Sequence, residues 1–412
     1  MNRMFNLCIS KKEIILFSLF SATVLVDIVN GFIFYTTESE SVVGVVYRAM
    51  VIVILSFIYF LKKGRVKIDI FVGLSLFFCS VSLVSSLVFN SSPLLFEISN
   101  MSKLMLFLLL IQYFHYKHLE VGELYRHILY MSLLVAVFII GSFIFKTGVG
   151  TYGGLSFGTK SFFRMQNDIG IMLVVSLNVS IYRFLIKKNS ILPVLILLIA
   201  SMVLATRTSS LITIALLFAY SFVVIFIGLK DIRRNSIRIK SIAVLILAVG
   251  IIGSYWLFKI VSENKYLIEK LFLLLSGDVR GKLPQIGMRV INSFNLGEFA
   301  FGKGSFNFLT AVAATSEYGL YFEYKFVEQD TIDILGSYGV VVFLFIFSYF
   351  LICVARSIFH FLIEKTLLNL SIVFSLGILF IHSILAGHVL QSPSIAPIFA
   401  SALFAVSRRK AL

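Results

Sequence analysis

The sequence predicts an all-α integral membrane protein of about twelve transmembrane helices, with cytoplasmic N- and C-termini and one large periplasmic loop bearing short amphipathic helices. Three observations predict it. Of 412 residues, 59% are hydrophobic and only 14% charged, with five prolines, a balance that no ordinary soluble domain of this length has. Apolar runs of about twenty residues recur, roughly the length a helix needs to cross a bilayer core, and open sheets are excluded there because lipid leaves backbone groups unsatisfied. The net charge of +16 is carried by Lys and Arg clusters at the ends of those runs. Such clustering sets membrane orientation and is not a nucleic-acid stripe, so no nucleic acid is expected as a partner.

Spans are read at 13–35, 42–61, 68–88, 94–113, 125–145, 167–186, 191–205, 209–228, 241–260, 331–354, 367–387 and 394–407. Basic clusters from Arg3, Lys11 and Lys12 to Arg408, Arg409 and Lys410 fall on one side. The short loops of the other side carry only Lys146, Lys160, Arg164 and Arg207, with Arg48 just inside the second span. The positive-inside rule then makes the first side cytoplasmic. Three blocks follow: helices one to nine over 1–260, a large periplasmic loop over 261–330, and helices ten to twelve over 331–412. The first run follows Lys11 and Lys12 without a small-residue cleavage pattern, so it reads as an uncleaved span. Cys8 falls on the cytoplasmic side and Cys79 and Cys353 within spans, leaving no pair to staple the outer loop.

Within that loop, Tyr266, Leu267, Leu271, Leu274 and Leu275 recur at helical spacing beside Lys265, Glu269 and Lys270, as in a helix lying on the membrane surface. Gly277 to Gly281 reads as a turn. Pro284 can open a second amphipathic helix, with Ile286, Val290 and Phe294 on one face and Arg289 at its edge. A glycine-punctuated stretch from Gly297 to Gly304 precedes an aromatic run, Tyr318, Tyr321, Phe322 and Tyr324, which suits a wet interface or a sugar to stack on. The outer segment 146–166, rich in glycine and carrying Lys160 and Arg164, reads as mobile.

Ionisable residues are costly in a bilayer, so their positions are informative. Asp27, Arg48, Glu97, Lys103, Arg164, Asp168, Arg207, Arg289, Glu328, Asp330, Asp333 and His388 all fall toward the outer face, where such a ring can line an aqueous cleft. Arg207 sits between two spans joined by almost no loop. Its planar fork suits phosphate oxygens; the alternative is an anchor for a tight turn. Arg289 taken alone reads as a solvated charge, or as a second cation for the same ligand. Glu328, Asp330 and Asp333 place three carboxylates within six residues where lipid begins, which suits a general base accepting a hydroxyl proton. For Asp330 the alternative is a helix cap, with Asp333 near the positive first turn. His388 ends the eleventh span, as an acid, a base, a phosphate contact or a satisfied interfacial histidine. No cluster has metal-ligand spacing, and no Ser-His-Asp arrangement stands out, so neither metal nor cofactor is expected.

Four features together resemble the O-antigen polymerase and ligase superfamily of membrane glycosyltransferases, the Wzy and WaaL type. They are Thr206-Arg207-Thr208-Ser209-Ser210-Leu211 after a mid-chain span; the long late outer loop; Arg289 followed by Phe301-Gly302-Lys303-Gly304; and the carboxylates entering a span that continues Gly336-Ser337-Tyr338-Gly339. Ligases of that family show a histidine, then Asn, Ser or Gln, then nine residues and a glycine. Here Glu328, Gln329 and Gly339 reproduce the spacing with glutamate in the histidine's place, and Val340, Val341 and Val342 replace further glycines. That departure favours a polymerase.

The resemblance implies transfer of a glycan from one undecaprenyl-pyrophosphate carrier to a sugar hydroxyl on another, at the periplasmic face of the bacterial inner membrane. Such a site needs cations for the developing phosphate charge and a base for the hydroxyl. Arg207, Arg289 and Arg164 are the candidates for the pyrophosphate; Glu328, with Asp330 and His388, for the catalytic groups. The implied partners are the lipid-linked oligosaccharide, the bilayer and a chain-length regulator. Ligase-type transfer and a lipid-linked oligosaccharide flippase are the competing functions. A flippase should carry charge through the whole membrane depth, whereas a transporter should show two related halves, and neither pattern is present.

Overall fold

The computed structural model describes residues 11–38, 42–61, 70–88, 90–151, 158–223, 282–316, 323–387 and 389–408, with isolated positions between 229 and 255. Among these the chain is helical, apart from one antiparallel bridge between Gly150 and Thr159. Helices α1 (Lys11–Phe17) and α2 (Thr23–Thr37) continue one another through a π-helical turn, Ser18–Ala22. There follow α3 (Val43–Leu61), α4 (Ile70–Val88), α5 (Leu94–Tyr116), α6 (Val121–Ile144), α7 (Gln166–Leu185), α8 (Leu192–Leu204) and α9 (Arg207–Phe222). Three short helices, α10 (Lys282–Asn292), α11 (Leu296–Phe301) and α12 (Ser305–Thr315), precede α13 (Asp330–Ile363), α14 (Leu367–Leu385) and α15 (Ala396–Ser407).

Seven of these rods are long and apolar enough to cross a bilayer, and shorter apolar helices accompany them. The protein is a multi-pass membrane protein. Where both ends are described, helix ends lie within a few residues of the expected spans, with one large exception. The tenth was expected to end at 354 but runs to Ile363 and is broken at Gly339. The expected span at 241–260 and the surface helix at 266–275 fall almost wholly outside the described residues.

Lipid tails are as apolar as leucine, so helices associate through close packing and interhelical hydrogen bonds. Helix α7, buried on nearly every face, shows how. Asn178 donates through Nδ2 to Ser375 Oγ (2.7 Å) and the Ser371 carbonyl (2.8 Å) of α14, and its Oδ1 accepts the Tyr220 hydroxyl of α9 at 2.6 Å. Each such bond contributes about 0.6 kcal/mol on average. Together they fix a central rod whose first turn carries Asp168.

The two ends differ in character. At one end Lys12 pairs with Glu123 at 2.7 Å, Glu13 holds Arg126 and His127, Arg183 donates to the Gly122 carbonyl at 3.3 Å, and Arg408 donates to the Leu119 carbonyl. Basic residues assigned to one side by the charge rule thus gather at one end. The other end carries a cap of α10–α12, with a small apolar core of its own, including Val290, Ile291, Phe308, Leu309 and Val312.

The cap is fastened where α13 breaks. Gly339 adopts φ 82° and ψ 171°, which frees carbonyls that a continuous helix would satisfy. The turn at Gly302-Lys303-Gly304 supplies the missing donors: Lys303 N–H to the Gly336 carbonyl and Gly304 N–H to that of Ser337, both 3.1 Å. Backbone groups at membrane depth require such partners. The approach leaves no room for a side chain, since a Cβ on Gly339 would lie 2.4 Å from the Ala300 carbonyl oxygen and the Gly302 nitrogen. Ser82 and Asn90 hold the turn's carbonyls at Phe301 and Gly302, and Glu97 accepts the Phe306 N–H at 2.8 Å in the first turn of α12.

Candidate functional site

A cavity of about 350 Å³ opens at the cap end, lined by Thr151, Lys160, Arg164, Gln166, Asp168 and Glu328 among others. Its first wall is the segment entering α7. The sequence suggests a mobile segment here, but its described residues are packed. Thr159 N–H donates to the Val203 carbonyl at 3.1 Å, Thr151 Oγ1 to that of Leu204 at 2.7 Å, and the hydroxyls of Ser142 and Ser161 meet at 2.7 Å. Ser161 and Phe163 are buried. Glycine here permits close approach rather than motion: at Gly31 of α2, an added Cβ would fall 1.5 Å from the Phe162 carbonyl oxygen.

Two cations stand on this wall. Lys160 Nζ lies 5.4 Å from the ring centre of Tyr35, and the Arg164 guanidinium 4.3 Å from that of Phe34. Asp168 lies deeper, 7% exposed, in the first turn of α7. Its Oδ1 is buried without a hydrogen-bond partner among the described residues.

The opposing wall is Glu328. Its backbone is left-handed, φ 66°, a conformation that costs a non-glycine residue about 1–3 kcal/mol and concentrates at functional sites. Neighbours impose it. Asp333 Oδ1 accepts the Val327 N–H at 3.0 Å, and Gly387 abuts the Glu328 backbone, where an added Cβ would lie 2.7 Å from its carbonyl carbon. Lys325 Nζ holds the carboxylate at 3.2 Å. The site therefore gathers two cations and a carboxylate around one cavity, the requirements for stabilising a phosphate leaving group and taking a hydroxyl proton.

The sequence matches the O-antigen ligase like membrane protein family over residues 10–270. The chain belongs to this family. No curated protein matches it. Membership makes it a glycan-transferring membrane enzyme working on lipid-linked sugar, and the matched stretch contains Lys160, Arg164, Asp168 and Arg207, whereas Glu328 lies beyond it.

Against that family assignment, the expected site residues separate into groups. Arg164 and Glu328 meet at one cavity. Arg207 opens α9 beside the first turns of α7, where a Cβ on Gly170 would meet Thr206 Oγ1 at 2.9 Å; the Arg207 side chain lies outside the described residues. Arg289, expected on the pyrophosphate, is exposed on α10 and is not among the residues lining the cavity. Its helix turns Leu283, Gly287, Val290 and Ile291 inward instead. His388 lies outside the described residues.

Asp330 departs from the expected helix cap. It makes no side-chain cap on α13. Its Oδ2 accepts from Ser383 Oγ (2.8 Å), Val389 N–H (2.9 Å) and Leu390 N–H (3.1 Å), and the residue is 1% exposed. It ties the chain after α14 to the top of α13, and is not among the residues lining the cavity. Asp168 was expected only in the ring of charges lining a cleft, without a chemical role, and Lys160 in neither. The signal available was the polar run Gln166-Asn167-Asp168 opening an otherwise apolar span. Of the aromatic run, Tyr318, Tyr321 and Phe322 lie outside the described residues, while Tyr324 packs edge to face on Phe96.

Proposed function

We propose that the chain polymerises undecaprenyl-pyrophosphate-linked oligosaccharide repeat units into O-antigen or a related surface polysaccharide at the periplasmic face of the inner membrane. The observation that carries this reading is the single cavity lined by both Arg164 and Glu328. A hydroxyl of the acceptor repeat attacks the anomeric carbon of the donor glycan. The bond from that carbon to the pyrophosphate oxygen breaks, and the electron pair leaves with the pyrophosphate. Glu328 takes the hydroxyl proton, while Arg164 offsets the charge growing on the phosphate oxygens, with Arg207 near the first turns of α7. The leaving group already carries the activation energy, so the step needs no nucleotide or redox cofactor.

Glutamate at position 328, where the ligase pattern has histidine, supports polymerase over ligase. Ligase-type transfer is the second reading, favoured by the description of the matched family. Deleting the gene separates them. The polymerase reading expects surface glycan with a single repeat on its core. Full-length unattached chains would establish the ligase, and repeats trapped on the cytoplasmic side a flippase. In the polymerase reading, Arg164→Ala and Glu328→Ala abolish chain growth at normal protein level.

A further inference from the structure

The reading above leaves one of the cavity's two cations without a task. Lys160 and Arg164 are four residues apart on one packed segment, and both line the cavity. Each stands over a ring from the last turn of α2, Tyr35 and Phe34 respectively, and those two rings meet edge to face at 5.4 Å. The platform is fixed one turn earlier, where the Phe162 backbone rests on Gly31 and Phe32 packs edge to face on Phe162 at 5.3 Å. Lys160 Nζ also donates to the Arg164 carbonyl at 3.4 Å, and no carboxylate pairs with it among the described residues. A ring face attracts an ammonium without neutralising it, so the full charge of Lys160 is presented to the cavity.

The pyrophosphate of the lipid-linked donor, esterified to lipid at one end and to glycan at the other, presents two phosphate groups a few ångströms apart. A guanidinium fork and an ammonium point charge are complementary ways of holding them. We infer that Lys160 is the second cation of the diphosphate site, binding one phosphate group of the lipid-linked donor while Arg164 binds the other, and that Tyr35 is the positioning residue that keeps the Lys160 ammonium at the cavity wall. The inference rests on the cavity being the donor site. Lys160 transfers nothing; it stabilises the charge that the departing pyrophosphate gains.

The test is binding, measured by calorimetry on the purified full chain in detergent with farnesyl diphosphate as probe and farnesyl monophosphate as control. Lys160→Met weakens diphosphate binding by about 10- to 100-fold, the range for losing a hydrogen bond to a charged group, and changes monophosphate binding less. Lys160→Gln serves the same purpose if the first variant loses its melting transition. Tyr35→Phe, which keeps the ring, binds like the parent, whereas Tyr35→Leu loses about 2- to 5-fold. A purely structural Tyr35 would show instead as a lowered melting temperature with unchanged affinity, which would overturn its assignment. Parent and Lys160→Met binding diphosphate equally would overturn the assignment of Lys160 alone. A parent chain that binds no lipid diphosphate would remove the donor-site reading as well.

Discussion

Lys160 and Lys303 both lie in glycine-flanked stretches between helices at the cap end, and their surroundings are opposite. The Lys303 backbone N–H is bound to the Gly336 carbonyl at 3.1 Å, while its ammonium lies 3.8 Å from Glu298 Oε1 and 5.6 Å from the Phe294 ring centre. Lys160 stands over Tyr35 and faces the cavity. A cation beside a carboxylate on the preceding helix is already engaged within the cap; a cation on an aromatic face beside a void stays available to a ligand. In sequence the two stretches look alike, although glycine and lysine serve a helix break in one place and a cavity wall in the other.

The sharpest way to break this contrast is to attack the break itself. Gly339→Ala adds a Cβ 2.4 Å from backbone atoms at a φ of 82°. Strain at that φ costs about 1–3 kcal/mol, and overpacking costs about as much again. The variant should fail to accumulate in the membrane fraction, and normal accumulation with an unchanged melting temperature would show that the splint is loose. Next in size is Glu328→Gln, which removes the proposed base but keeps the backbone and the side-chain volume. Chain growth should slow by roughly 10²- to 10⁴-fold, read from the length of surface glycan at matched protein level. Long chains at the parental rate would take Glu328 out of the chemistry.

Much of the architecture was legible because lipid leaves few choices. A run of apolar residues bounded by charges has to be a helix, and the basic clusters sorted its ends, as Lys12, Arg183 and Arg408 gathering around residues 119–126 illustrate. Arg164 and Glu328 drew notice in the sequence for the same reason, as charges placed where burial is costly, and both line the cavity. What was not legible depends on long-range contact. Nothing local announces that Gly302-Lys303-Gly304 fills a break opened at Gly339, or that the backbone of Phe162 needs Gly31 to be bare. The position of Arg289 away from the cavity depends on what α10 packs against, and the setting of Asp330 on three donors that come from residues 383–390.

Asp330 supplies an intermediate test of the same contrast. If its carboxylate is a tie, Asp330→Asn weakens the hydrogen bonds from Ser383, Val389 and Leu390. A buried group left imperfectly paired costs about 1–3 kcal/mol, so the melting temperature should fall while chain growth per folded molecule stays near the parent's. A large loss of growth at an unchanged melting temperature would return Asp330 to the catalytic groups.

The smallest expected effect is the most pointed, because it addresses the basic residue that the family resemblance had drawn into view. Lys303 acts through its backbone N–H, which every non-proline substitution retains. Its ion pair with Glu298 is partly exposed, at 32% and 17% for the two side chains, and solvent screening limits such a pair to roughly 0–1 kcal/mol. Lys303→Met keeps the apolar stem that packs toward Phe294 and removes only the charge. Melting temperature, glycan length and farnesyl diphosphate binding should all stay close to the parent's, in contrast to the loss of diphosphate binding expected of Lys160→Met. A Lys303→Met variant with short chains and intact folding would mean that this ammonium also reaches substrate, and the division between a structural and a binding lysine would fail.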